Sequence, residues 1–159
     1  MIVLLLVIIL LVVYLIPTYV EPRVVRGLIT DEERKHIIQK AEKKLDVSTV
    51  AEDRIVDKNV RDSETAWLDA SDPVVKRVMD KCVALTDRPI ANCEHLQVLR
   101  YKPGGHYKPH QDTFSDTTGN KRMYTIILAL NDDYEGGETE FPNLKKKYKM
   151  EAGDALFFH

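Results

Sequence analysis

The stretch YKPGGHYKPHQDTF, residues 101–114, gathers the side chains with the most chemical promise. It holds two of the chain's five histidines, His106 and His110, and an aspartate, Asp112, two places after the second. In a strand, residues i and i+2 share a face, so His110 and Asp112 can present an imidazole and a carboxylate to one point. With a second histidine from elsewhere they make the two-His-one-carboxylate arrangement that leaves adjacent coordination positions open on a non-haem metal. An H-x-D pair alone is weak evidence, because chance supplies about 0.4 of them in a chain of this composition. His106 reads as a loop residue, since its side of the turn is not fixed by that alternation.

The elements that must hold these groups are legible in outline. The 159 residues suffice for one domain, and a net charge of -2 argues against a nucleic-acid partner. Residues 1–16, MIVLLLVIILLVVYLI, carry no charge. A helix of that length nearly spans a bilayer core of about 30 Å. No basic residue precedes it and no A-x-A-like site follows, so it reads as an uncleaved signal anchor, a transmembrane helix over residues 1–20. Residues 21–27 read as a linker, with Pro17 and Pro22 blocking regular structure.

A helix is expected from Thr30, where T-x-x-E forms a capping box and Asp31 and Glu32 suit the positive end of the helix dipole. Its buried face is Ile37, Ile38, Ala41 and Leu45. A second helix begins at Asp72-Pro73, with Val75, Val78, Met79 and Val83 inward. From Glu94 onward EHLQVLRY, RMYTIILAL, GETEF and DALFF read as short strands between glycine- and asparagine-rich turns. Helices first and antiparallel strands later make an α+β domain over residues 28–159. The lysine run LKKKYKM reads as a solvated edge strand. Cys82 and Cys93 are either a disulfide or two reduced thiols.

Four ordered segments, LQVLRYKPGGHYKPHQD, RMYTIILALND, EGGETEFP and GDALFF, resemble the prolyl 4-hydroxylase family of Fe(II)/2-oxoglutarate-dependent dioxygenases. The resemblance runs from about Leu28 to His159. It implies a double-stranded β-helix, or jelly roll, with supporting N-terminal helices. It also implies Fe(2+), 2-oxoglutarate and L-ascorbate as cofactors, and a proline-containing peptide hydroxylated at C4 with succinate and CO2 as coproducts. By the same resemblance His110 and Asp112 are iron ligands. Tyr101 contacts 2-oxoglutarate and Thr139 lines its pocket, while Glu94, Tyr107 and Arg122 serve peptide binding or hydroxylation geometry. On the residues alone, Tyr101 and Thr139 remain readable as strand residues and Arg122 as a surface charge.

The family places its second iron histidine, and a basic residue for 2-oxoglutarate, beyond the GDALFF strand. The expectation is therefore a C-terminally truncated, poorly active hydroxylase, incomplete in its last strands, with His159 not a ligand. The alternatives are a membrane-tethered peptide-binding module without catalysis, or a related oxygenase acting on another substrate. The resemblance implies the endoplasmic reticulum lumen, although Arg23 and Arg26 after the apolar segment favour a cytosolic side.

Overall fold

Two capped helices seed the fold. The computed structural model describes residues 19–50, 55–113 and 121–159. Helix α1 spans Asp31–Glu42 and opens on the expected capping box: Glu33 N–H donates to Thr30 Oγ1 at 3.3 Å and Thr30 N–H to Glu33 Oε2 at 2.9 Å. Helix α2 spans Pro73–Val83, and its cap Asp72 accepts from the amides of Val74 and Val75. Its buried face is Val75, Val78, Met79 and Cys82. Cys82 takes the inward place expected of Val83, because it lies four residues after Val78 and three after Met79, on the same stripe.

The buried Glu33 carboxylate also joins the two helices, accepting from Arg77 Nε at 2.9 Å and Lys81 Nζ at 2.7 Å. Burial pushes its pKa up, but Lys81, the Thr30 amide and Arg77 outweigh that and bring it down to about 2. His36 and Lys40 of α1 reach the Asp72 cap.

Against the helices lies an antiparallel sheet of β2 (Asp46–Val47), β3 (Glu64–Leu68) and β4 (Leu96–Arg100), in that order. Ala66, Leu68 and Val98 are buried with Ile37, Ala41, Val75 and Val78 in the main core. A second antiparallel sheet has the order β1 (Arg23–Val25), β8 (Ala155–Phe158), β5 (Thr125–Leu128). A hairpin of β6 (Thr139–Phe141) and β7 (Lys146–Tyr148) completes the strands. Leu156, fully buried, centres a smaller core with Ala129 and Met150.

Two expectations need correction. Strand β1 lies inside the segment expected to be a linker, with Val24 opposite Leu156. Pro22 does not prevent this, because it stands just ahead of the strand, where no ladder N–H is needed. The corner after β1 is pinned by buried Asp154, which accepts from Arg26 Nη1 at 2.5 Å and from the amides of Gly27 and Glu151 at 3.0 Å. Helices also do not simply come first, since β1 precedes both of them. The expected anchor falls almost wholly on residues 1–18, outside the described residues. Among the described residues no helix is long and apolar enough to cross a membrane.

Cys82 is buried and Cys93 exposed, and both are free thiols. Burial pushes the Cys82 thiol up to about 12. Titration of the native chain with a chromogenic disulfide reagent is expected to label Cys93 alone, and in denaturant both. Failure of Cys93 to react in the absence of reductant would mean that it is bridged.

The lysine run is tied into local pairs. Lys146 meets Glu21, Lys147 meets Glu140 at 3.1 Å, and Lys149 donates to the Tyr134 carbonyl at 2.8 Å. Replacing Lys145, Lys146 and Lys147 with Gln should therefore leave the melting temperature nearly unchanged, because exposed pairs contribute about 0–1 kcal/mol each. A large fall in melting temperature would contradict this.

Candidate active site

The segment after β4 turns back on the approach to β3. Gly105 N–H donates to the Lys102 carbonyl at 2.8 Å, closing a turn through Gly104 at φ 83°. A Cβ on Gly105 would come within 2.8 Å of the Asp62 carbonyl oxygen, so only glycine permits this approach. Beyond it, Asp62 N–H donates to the His106 carbonyl at 2.8 Å and Lys108 N–H to the Val60 carbonyl at 2.9 Å, placing Arg61 opposite Tyr107.

His110 and Asp112 come together, although not as strand neighbours. Neither lies in a strand, and Asp112 sits in a bend. The bend brings Asp112 Oδ1 to 3.0 Å from His110 Nε2. His110 Nδ1–H donates to the Lys108 carbonyl at 2.8 Å, which fixes the ring and aims Nε2 at the carboxylate. That is how a metal-binding imidazole is oriented by its outer partner. The Tyr107 ring stacks on the imidazole at 3.7 Å and 24°. A nitrogen and a carboxylate oxygen converging from one bend suit Fe(II) as two of its ligands. His106 points elsewhere, its Nε2 3.3 Å from the Asn59 carbonyl.

The other expected residues divide. Glu94 and Arg122 form a two-pronged ion pair at 2.5 and 2.7 Å. This bond holds the Glu94 carboxyl below its ordinary range and raises Arg122. The Arg122 charge also feels those of Asp112 and Tyr107. Burial pushes the Tyr101 phenol upward, partly offset by the charge of Arg61 and by hydrogen bonds with Ser63 and Arg61. Thr139, by contrast, is on the β6–β7 hairpin opposite Tyr148. His159 packs edge-on against Tyr124 at 5.4 Å. Among the described residues no three His, Cys, Asp or Glu groups gather to hold a metal, so His159 does not join His110 and Asp112.

Sequence reading missed Arg61 and Ser63. Arg61 is 8% exposed; its Nε donates to Ser63 Oγ at 3.1 Å and its Nη1 to the Thr49 carbonyl at 3.3 Å. Ser63 Oγ in turn donates to Ser48 Oγ at 2.8 Å. The alternation Arg61, Ser63, Thr65 puts three polar side chains on one face of the chain entering β3, a pattern that says nothing of their partners.

Residues 96–159 match the 2OG-Fe(II) oxygenase superfamily. A putative prolyl 4-hydroxylase of Acanthamoeba polyphaga mimivirus is 35% identical over 150 residues, covering 89% of this chain and 61% of that protein. Prolyl 4-hydroxylase 1 of Arabidopsis thaliana is 35% identical over 133 residues, covering 76% of this chain and 47% of that one. The chain thus spans less than two thirds of the length of these curated relatives. Among solved structures, the viral collagen prolyl hydroxylase of Paramecium Bursaria Chlorella virus-1, as its 2OG complex, superposes with a TM-score of 0.67 at 28% identity. That match covers 86% of this chain and 76% of the viral one. A Pseudomonas putida prolyl-4-hydroxylase shares the fold, with a TM-score of 0.63 at 16% identity, covering 89% of this chain and 81% of that one.

Proposed function

The chain belongs to the prolyl 4-hydroxylase family of Fe(II)- and 2-oxoglutarate-dependent oxygenases, and from that premise we propose that it serves the hydroxylation of peptidyl proline at C4. The observation that carries this reading is the meeting of His110 Nε2 and Asp112 Oδ1 at 3.0 Å in one bend. His110 Nε2 and Asp112 Oδ1 would hold the iron. When bound, iron and 2-oxoglutarate supply the O2 chemistry that leaves succinate, CO2 and a hydroxylated proline.

The remaining roles belong to the chain's own side chains. Tyr101, its phenol kept protonated, offers a hydroxyl to the cosubstrate. Thr139 would line the same pocket. Arg122 keeps its charge and, anchored by Glu94, would contact the peptide. Tyr107 flanks the His110 ring where the proline must arrive. The two three-stranded sheets are taken as the two leaves of a jelly roll. Ascorbate would restore iron oxidised in unproductive turnovers.

The test is 4-hydroxyproline formation in a proline-rich peptide, by mass spectrometry, with Fe(II), 2-oxoglutarate and ascorbate. The chain should be extended to the length of its relatives. Hydroxylation matched by succinate, and lost on chelation, is the expected outcome; succinate without hydroxyproline would point to another substrate. The second reading, a peptide-binding module, draws on the lack of a third ligand among the described residues. It predicts peptide binding with no turnover.

Residues 1–20 are proposed as a membrane anchor with the domain in the secretory lumen. A glycosylation acceptor appended to the C-terminus and translated with microsomes should acquire glycan. An unmodified tag that protease removes from unbroken microsomes would place the domain in the cytosol.

A further inference from the structure

We propose that Arg61 is a positioning residue that sets the His110 imidazole through the ring of Tyr107; the inference rests on His110 being a metal ligand. Arg61 is a buried cation, 8% exposed. Among the described residues no carboxylate pairs with it, and its partners are neutral: Ser63 Oγ, the Thr49 carbonyl, the Tyr101 hydroxyl and the face of Tyr107. A buried charge without a counter-ion is costly to hold, so these neutral contacts must fix the guanidinium closely. Its carbon lies 4.7 Å from the centroid of the Tyr107 ring, and the His110 ring lies 3.7 Å from the same ring. The guanidinium and the imidazole thus both lie against one tyrosine ring, and the imidazole ends at the nitrogen facing Asp112.

The backbone ties the stack together. Arg61 and Tyr107 are paired across an antiparallel bridge, with bonds on either side at Asp62–His106 and Lys108–Val60. Lys108, which lies between Tyr107 and the bend, accepts the His110 Nδ1–H. His110 therefore has two restraints. The carbonyl bond sets the direction of Nε2, and the stack on Tyr107 sets the tilt of the ring plane. A guanidinium over the tyrosine ring holds that ring by cation–π attraction. Lysine at position 61 would keep the charge without the plane.

Two readouts test this, neither of them turnover. In the metal-free protein, NMR should find the His110 ring protons shifted upfield by the Tyr107 ring. Arg61→Met should move them toward the values of an unstacked histidine, while Arg61→Lys moves them part of the way. In oxygen-free buffer, Co(II) alone is titrated and followed by paramagnetic shifts of the same protons. Arg61→Met and Tyr107→Leu should each weaken Co(II) by about tenfold, the scale of a lost outer-shell partner. The double variant should be no weaker than Tyr107→Leu, because both act through one stack. Tyr107→Phe, which keeps the ring, should retain the affinity.

Unchanged His110 shifts and affinity in Arg61→Met, or strictly additive losses in the double variant, would overturn the inference. Should Arg61→Met fail to fold by circular dichroism, the contrast between Tyr107→Leu and Tyr107→Phe decides the matter alone. His110→Ala separates the two layers. If it binds Co(II) as the wild type does, the metal reading itself falls. If it loses Co(II) while Arg61→Met does not, only the role of Arg61 falls.

Discussion

Replacing Asp112 with Ala is expected to abolish the hydroxylation proposed for this chain, a loss beyond the roughly 10- to 100-fold that removal of a metal ligand's outer partner typically costs. Asp112 Oδ1 stands 3.0 Å from His110 Nε2, so the two atoms aim at a common point. Taking away the carboxylate leaves a lone imidazole among the expected ligands at the bend, and a single nitrogen does not retain a divalent cation against water. His110→Ala has the same outcome for the complementary reason. Both side chains are partly solvent-exposed, at 40% and 25%, and neither supports a helix or strand. The variants should therefore keep the wild-type circular dichroism spectrum and melting temperature. The measurement is succinate and 4-hydroxyproline yield in the chain extended to the length of its relatives. A near-normal rate in either variant would remove the bend from the active site.

What sequence disclosed here was mostly local chemistry. The capping box at Thr30 and the Asp72-Pro73 start declare themselves within four residues, because a helix terminus satisfies its free amides with the nearest oxygens. The strands β4, β5, β6 and β8 were legible from short runs of β-branched, aromatic and leucine residues between turns. What stayed hidden depends on distant partners. Strand β1 exists because β8 offers it a ladder more than a hundred residues later, which no local reading of PRVVRG contains. The His110–Asp112 encounter was anticipated, but on strand alternation; a bend produces the same meeting by a different backbone path. Arg61 was invisible for a related reason. An arginine reads as surface until its partners are known, and those partners are a serine, a carbonyl, a tyrosine hydroxyl and an aromatic face. The Glu94–Arg122 pairing likewise joins residues 28 apart in sequence, and only the resemblance to a family singled them out beforehand.

Glu33 carries the largest stability effect expected of a charged residue, and pH should modulate it. Its carboxylate is 3% exposed and does three jobs: it caps α1, receives Arg77 and receives Lys81. Glu33→Ala removes a reciprocal cap, at about 1 kcal/mol, and leaves two cations without their shared anion. Arg77 and Lys81 remain 56% and 33% exposed, so water can recover part of their solvation. The loss should therefore fall at about 2–3 kcal/mol, below the 3–5 typical of a fully buried pair broken on one side. Glu33→Gln keeps an acceptor for the Thr30 amide and isolates the charge. The folded pKa of about 2 lies below the ordinary 4.5, so the unfolded chain takes up the proton first as acid is added. The stabilisation is complete above the ordinary value and fades as pH falls through the folded one. Urea midpoints of wild type and Glu33→Gln should thus be well separated at pH 7 and still at pH 5, then converge as pH drops toward 2. Parallel curves over that range would show that the Glu33 charge does not clasp α1 to α2, and that the carboxyl acts only as a cap.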